Sequence, residues 1–145
     1  NREGKLMKKK SGFTLIELLL VLAIIGIISG IAIPALSGQR QRARMIGDAE
    51  TNARVLAMGL EAVKAENGIY GPAGATATWT PGADPTWTGY TANPVPGFSI
   101  KGSSQMSFVV AVQPLTYTIT VHDGPVGGTS LMTLDQVGTK TVLVH

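Results

Sequence analysis

Cysteine is absent from all 145 residues, which excludes a disulfide framework, thiolate metal sites and cysteine nucleophiles. Histidine is nearly absent too: the only two are His122, at the end of a strand-like run, and His145. No HxxxH spacing, DxD run or nucleophile elbow occurs, and Lys101 and Lys140 stand alone. The glycine-rich pieces GPAGA (71–75) and GPVGG (124–128) lack the spacing and the following helix of a phosphate cradle. Asp84, Asp123 and Asp135 carry oxygen ligands that would suit calcium, but they are not spaced as a loop motif, so no metal is expected. These gaps argue against an enzyme and against a cofactor.

Basic charge is scarce as well, once its position is considered. The formal net charge is +3, yet residues 1–12 hold Arg2, Lys5, Lys8, Lys9 and Lys10 against Glu3, a net of +4. The remainder carries seven basic and eight acidic side chains, a net of −1, so nothing in it points to nucleic acid.

What the chain does have is a long apolar run. Between Phe13 and Leu36 lie 24 residues with one charge, Glu17. As a helix this run reaches roughly 36 Å, enough for the ~30 Å hydrocarbon core of a bilayer. The acid is out of place there, because a carboxylate inside a span costs up to about 2.5 to 3.5 kcal/mol unless something neutralises it. Cutting the chain after Gly12 would supply the neutraliser, a free α-amino group on Phe13.

The sequence KKKSG followed by FTLIE, then an apolar run with a proline far along it, resembles the prepilin signal of type IV pilins and of the pseudopilins of type II secretion. MKKKSG, starting at Met7, matches a short leader of that type, and NREGKL precedes it. The resemblance covers about residues 8–60. It implies that a membrane prepilin peptidase cuts between Gly12 and Phe13 and methylates the new Phe13 amine. It also implies that Glu17 pairs with the Phe13 amine of a neighbouring subunit as a filament grows. Two blander readings stand beside it. One is a single-pass anchor that tolerates Glu17. The other is a secretory signal with a small-x-small site at Gly30, Ile31 and Ala32, although the apolar run exceeds the usual ~7 to 15 residues.

Five Lys or Arg residues before the run, against Arg40, Arg42 and Arg44 after it, place the N-terminus in the cytoplasm. Gly26, Gly30, Pro34 and Gly38 recur every four residues, a face along which helices can approach closely in lipid. Pro34 removes the hydrogen bond to the Gly30 carbonyl, so the helix is expected to be weakest from Gly26 to Pro34. The resemblance implies that this segment melts or stretches on assembly; the alternative is a kinked but intact span.

From Gln39 the pattern turns amphipathic. Ile46, Ala49, Ala53, Leu56, Leu60 and Val63 form one apolar stripe, and Arg44 with Asp48 and Glu50 with Arg54 form i,i+4 pairs. One helix is predicted from Phe13 to about Asn67, ended by Gly68. Residues 71–97 are rich in Gly, Pro, Ala and Thr and read as a long loop, pinned by Trp79, Trp87 and Tyr90. After it, Met106, Phe108, Val110 and Val112 alternate, as do Tyr117, Ile119 and Val121, with Pro114 as the turn between them. A weaker strand near Ser130–Leu134 and the closing KTVLV complete a three- or four-stranded antiparallel meander.

The expected fold class is therefore α+β, the type IV pilin fold, with a long N-terminal helix on a small C-terminal antiparallel sheet. The expected organisation is a removable leader (1–12), a membrane or filament-core helix (13–36), and the amphipathic half-helix with a periplasmic or extracellular β domain (37–145). The expected function is that of a structural pilin in a type IV pilus-like filament, a homo-oligomer. The alternatives are a type II secretion pseudopilin and a membrane-anchored binding domain that never polymerises. Implied partners are the prepilin peptidase, an inner-membrane assembly platform with its ATPase motor, and membrane lipid before assembly. The implied location is the inner membrane first, then a filament in the periplasm or at the cell surface.

Overall fold

The computed structural model describes residues 12–101 and 105–143; the basic side chains of the expected leader and His145 fall outside them. One helix, α1 (Leu15–Asn67), precedes six strands: β1 (Thr76–Trp79), β2 (Thr86–Thr88), β3 (Met106–Val112), β4 (Tyr117–Asp123), β5 (Ser130–Asp135) and β6 (Lys140–Val142). Two compact units share the chain, one ending at Gln41 and the other beginning at Arg42.

The first unit is helix with no core of its own. Its large apolar side chains, including Leu15, Ile16, Leu19, Leu22, Ile28 and Ile33, are exposed. No acid or base interrupts the run from Leu18 to Gln39, so these side chains have only each other along the helix.

In the second unit the helix buries a stripe against a sheet. Ala49, Ala53, Leu56 and Leu60 are fully buried, while Ile46 and Val63, the ends of the expected stripe, are half-buried. They pack with the inward residues of the sheet, Met106, Phe108, Val110 and Val112 from β3, Tyr117, Ile119 and Val121 from β4, and Leu131, Met132 and Leu134 from β5. In β3 and β4 the alternation sets the face turned to the helix, while in β5 adjacent Leu131 and Met132 are both buried beside the register shift at Val121 and His122. Gly68 takes φ +79° and its N–H reaches the Lys64 carbonyl at 2.7 Å, which ends the helix in the left-handed turn that glycine favours.

The sheet is entirely antiparallel in the order β2-β1-β3-β4-β5-β6. It is wider than the expected meander of three or four strands. The two extra strands lie inside residues 71–97, which sequence composition marks as loop. β1 exists because β3 offers it an edge: Ala77 stands opposite Val110 and Trp79 opposite Phe108, so two buried side chains follow the pairing. β2 is a three-residue return along β1 with every residue exposed. Threonine's β-branched side chain suits both strands, and the Gly and Pro residues between them make the turn.

Of the three aromatic residues expected to pin this stretch, two do so. Trp79 is 4% exposed and meets Phe98 edge-on with ring centres 5.6 Å apart, and the Tyr90 hydroxyl donates to the Tyr70 carbonyl at 3.2 Å. Trp87 stays at the surface. Val95 packs on the helix at Gly59, where an added Cβ would lie 2.4 Å from a Val95 methyl, so a side chain there would displace the loop.

Without disulfides, polar contacts fasten the sheet and its approaches to the helix. Buried Asn52 donates through its amide to the Lys101 carbonyl at 2.8 Å and accepts from the Lys101 N–H at 2.9 Å, mimicking one rung of a ladder. Glu50 bridges Arg54 at 2.7 Å and Lys140 of β6 at 2.6 Å, and these cations hold its carboxyl below the usual range. The expected Arg44–Asp48 pair does not form among the described residues. Tyr70 meets Tyr117 edge-on at 4.8 Å and donates to Glu61 at 2.6 Å. Burial, followed by that hydrogen bond to a carboxylate, pushes the Tyr70 phenol up to about 12.

Candidate assembly interface

The helix begins with a reciprocal cap. The Thr14 hydroxyl accepts from the Glu17 N–H at 3.3 Å, and the Glu17 carboxylate accepts from the Thr14 N–H at 3.0 Å. This is a capping box, in which two donors of the first turn are satisfied by side chains three residues apart. It gives Glu17 hydrogen-bond partners within a single chain, beside the favourable positive end of the helix dipole. Thr14 therefore belongs to the site, and the reading of charge alone passes over it. Its signal is present in the sequence as T-x-x-E directly before an apolar run.

Phe13 precedes the cap and is 86% exposed, and Gly12 is exposed beside it. The peptide bond that the prepilin resemblance marks for cleavage thus lies outside the helix. Gly26, Gly30 and Gly38 have open space where a Cβ would be. Pro34 sits inside α1, and the Ser37 hydroxyl donates to the Pro34 carbonyl at 2.9 Å. The helix is assigned without interruption from Gly26 to Pro34, so in a single chain the missing Pro34 N–H leaves the segment helical.

The first unit can associate through apolar side chains, a close-approach face and one carboxylate. In the second unit, His122 turns Nδ1 toward the Gly128 carbonyl at 3.2 Å and the Ser130 hydroxyl at 3.3 Å, a structural contact across the β4–β5 turn. Asp135 caps its own turn, accepting from the N–H groups of Val137 and Thr139 at 3.0 and 2.8 Å. No three His, Cys, Asp or Glu residues gather as a metal site among the described residues.

Residues 7–33 match the family model described as the prokaryotic N-terminal methylation motif. A second match is the type II secretion system core protein G of Vibrio cholerae serotype O1, which is 35% identical over 66 residues. Both matches support the resemblance to the type IV pilin and pseudopilin family. The similarity spans 46% of this chain and 44% of core protein G, less than half the length of that relative. No solved structure matches this chain significantly. Pilins and pseudopilins are structural subunits, not enzymes, in keeping with a site made of a helix surface. Their methylation motif, together with a helix long and apolar enough to cross a membrane, supports a membrane-anchored precursor here.

Proposed function

We propose that this pilin-family chain is cut between Gly12 and Phe13 by a prepilin peptidase, methylated on the Phe13 amine, and polymerised through its N-terminal helix into a filament. The observation that carries the reading is the first unit itself: a long apolar helix, exposed along its length, with a single acid at the start. Left in water, that surface would be unstable by the usual cost of ~25 cal/mol per Å² of apolar area. Lipid covers it in the precursor, and neighbouring copies cover it in the filament. During the transfer Glu17 exchanges its Thr14 cap for the Phe13 amine of another copy, and the Gly26–Pro34 segment, with one hydrogen bond already missing, loosens as helices pack. The assembly platform and its ATPase supply the work of extraction from the inner membrane.

Pilus and secretion pseudopilus are the two forms such a filament takes. The similarity to core protein G of a type II secretion system favours the second. Mass spectrometry of sheared filaments tests the common part: the subunit should begin at N-methylated Phe13. Filaments whose subunits retain Lys8–Gly12 would overturn it. Deleting the gene then separates the two forms, by loss of surface fibres or by retention of secreted enzymes in the periplasm.

A further inference from the structure

The positive charge of the chain beyond its leader is concentrated at one place. Arg40, Arg42 and Arg44 fall within five residues, no acid lies between Glu17 and Asp48, and beyond Arg44 seven acids outnumber four bases. All three are exposed, and none has an ion pair or side-chain hydrogen bond among the described residues, whereas Arg54 holds Glu50. Just before them, a surface recess of about 220 Å³ is lined by Ile33, Leu36, Ser37 and Arg40. Its walls are two aliphatic side chains, and its rim carries a hydroxyl and a guanidinium.

We propose that this recess and the arginines after it bind anionic phospholipid, with an acyl chain against Ile33 and Leu36 and the headgroup phosphate on Arg40, reinforced by Arg42 and Arg44. The inference rests on the membrane-anchored reading of the helix. Spacing supports it. Leu15 to Leu36 spans about 33 Å of helix, against a hydrocarbon core of ~30 Å. Arg40 comes roughly 6 Å further on, within the polar layer of about 5 to 7 Å that covers each side of the core. Arg42 and Arg44 follow at roughly 9 and 12 Å, from which long side chains turn back toward the interface. Guanidinium is suited to the task, since its planar fork meets two phosphate oxygens at once. The aliphatic walls argue for a lipid rather than a free anion, which would have no use for them.

Because the chain has no cysteine, Gln41→Cys supplies a single thiol for a fluorophore beside these arginines. The full chain carrying it is placed in phosphatidylcholine vesicles that contain a minor share of phosphatidylglycerol. A nitroxide quencher is carried near the headgroup of one lipid or the other. Quenching should favour phosphatidylglycerol by about five-fold for each arginine fully engaged. Arg40→Gln should remove the larger part of the preference, and R40Q/R42Q/R44Q should bring the two lipids level. Equal quenching by both lipids in the chain that keeps its arginines would overturn the inference alone. Preference lost to inorganic phosphate, but not to sodium chloride of equal ionic strength, would overturn the lipid assignment in favour of a free-anion site. A chain that does not float with the vesicles would overturn the anchored reading as well, so the two failures are told apart.

Discussion

The two halves of α1 are made of the same secondary structure and depend on opposite things. In the stretch before Gln41 the large apolar residues run round the helix and are exposed; in the stretch after it they form a stripe that is fully buried at Ala49, Ala53, Leu56 and Leu60. The second half therefore gains its stability from within the chain. The first half has nothing to gain until something else arrives. Polar contacts divide in the same way: Asn52 and Glu50 reach across to residues 49 and 90 positions distant, while Glu17 and Ser37 bond within a single turn.

The largest expected effect separates the halves by assembly. Glu17→Gln should reduce the filament yield roughly a hundredfold, as expected when one partner of a desolvated ion pair is removed. Melting of the second unit should not change. Normal amounts of sheared filament from a strain that processes Glu17→Gln correctly would remove the charge-pairing role.

Stability separates them next. Leu56→Ala should cost about 2 to 5 kcal/mol in denaturant unfolding of the second unit, because it empties a fully buried site. Leu22→Ala, the same chemical change on an exposed position, should leave that unfolding midpoint unmoved and act only on insertion or assembly. Equal losses from both substitutions would mean that the first half belongs to the core after all.

The smallest effect is a pH dependence. Tyr70 ionises near 12 in the folded chain against about 10 unfolded, so the folded state holds its proton more tightly. Stability from this group is complete below pH ~10 and is lost as pH rises from there to about 12. Tyr70→Phe should flatten that alkaline slope, leaving the part due to Tyr90 and Tyr117, whose phenols burial also pushes up. Helicity of the first half should be indifferent over the same range, since it holds no tyrosine. An unchanged slope in Tyr70→Phe would show that the phenol is not the group that titrates.

Legibility in the sequence follows the range of the interactions. The helix, its apolar stripe, its stop at Gly68 and the strands around Phe108 and Ile119 are written in local period, and a reader of period finds them. β1 and β2 are not, because Thr76–Trp79 and Thr86–Thr88 have little pattern of their own and become strands only beside β3. The Asn52–Lys101 contact joins residues 49 apart and leaves no local trace. The Thr14–Glu17 cap is the opposite case: its signature is four residues long, but concentration on the misplaced charge hides the hydrogen bonds that accommodate it.

The outermost strands, β2 and β6, are three residues each and exposed throughout. Each offers about 10 Å of border, room for only one or two rungs of a foreign strand. Each edge therefore gives another copy little backbone to pair with. In the proposed filament the copies are held instead by side chains on a helix whose own amides are already spoken for. A polymer of that kind can be taken apart and its subunits reused, whereas one grown by adding strands to strands tends to be permanent.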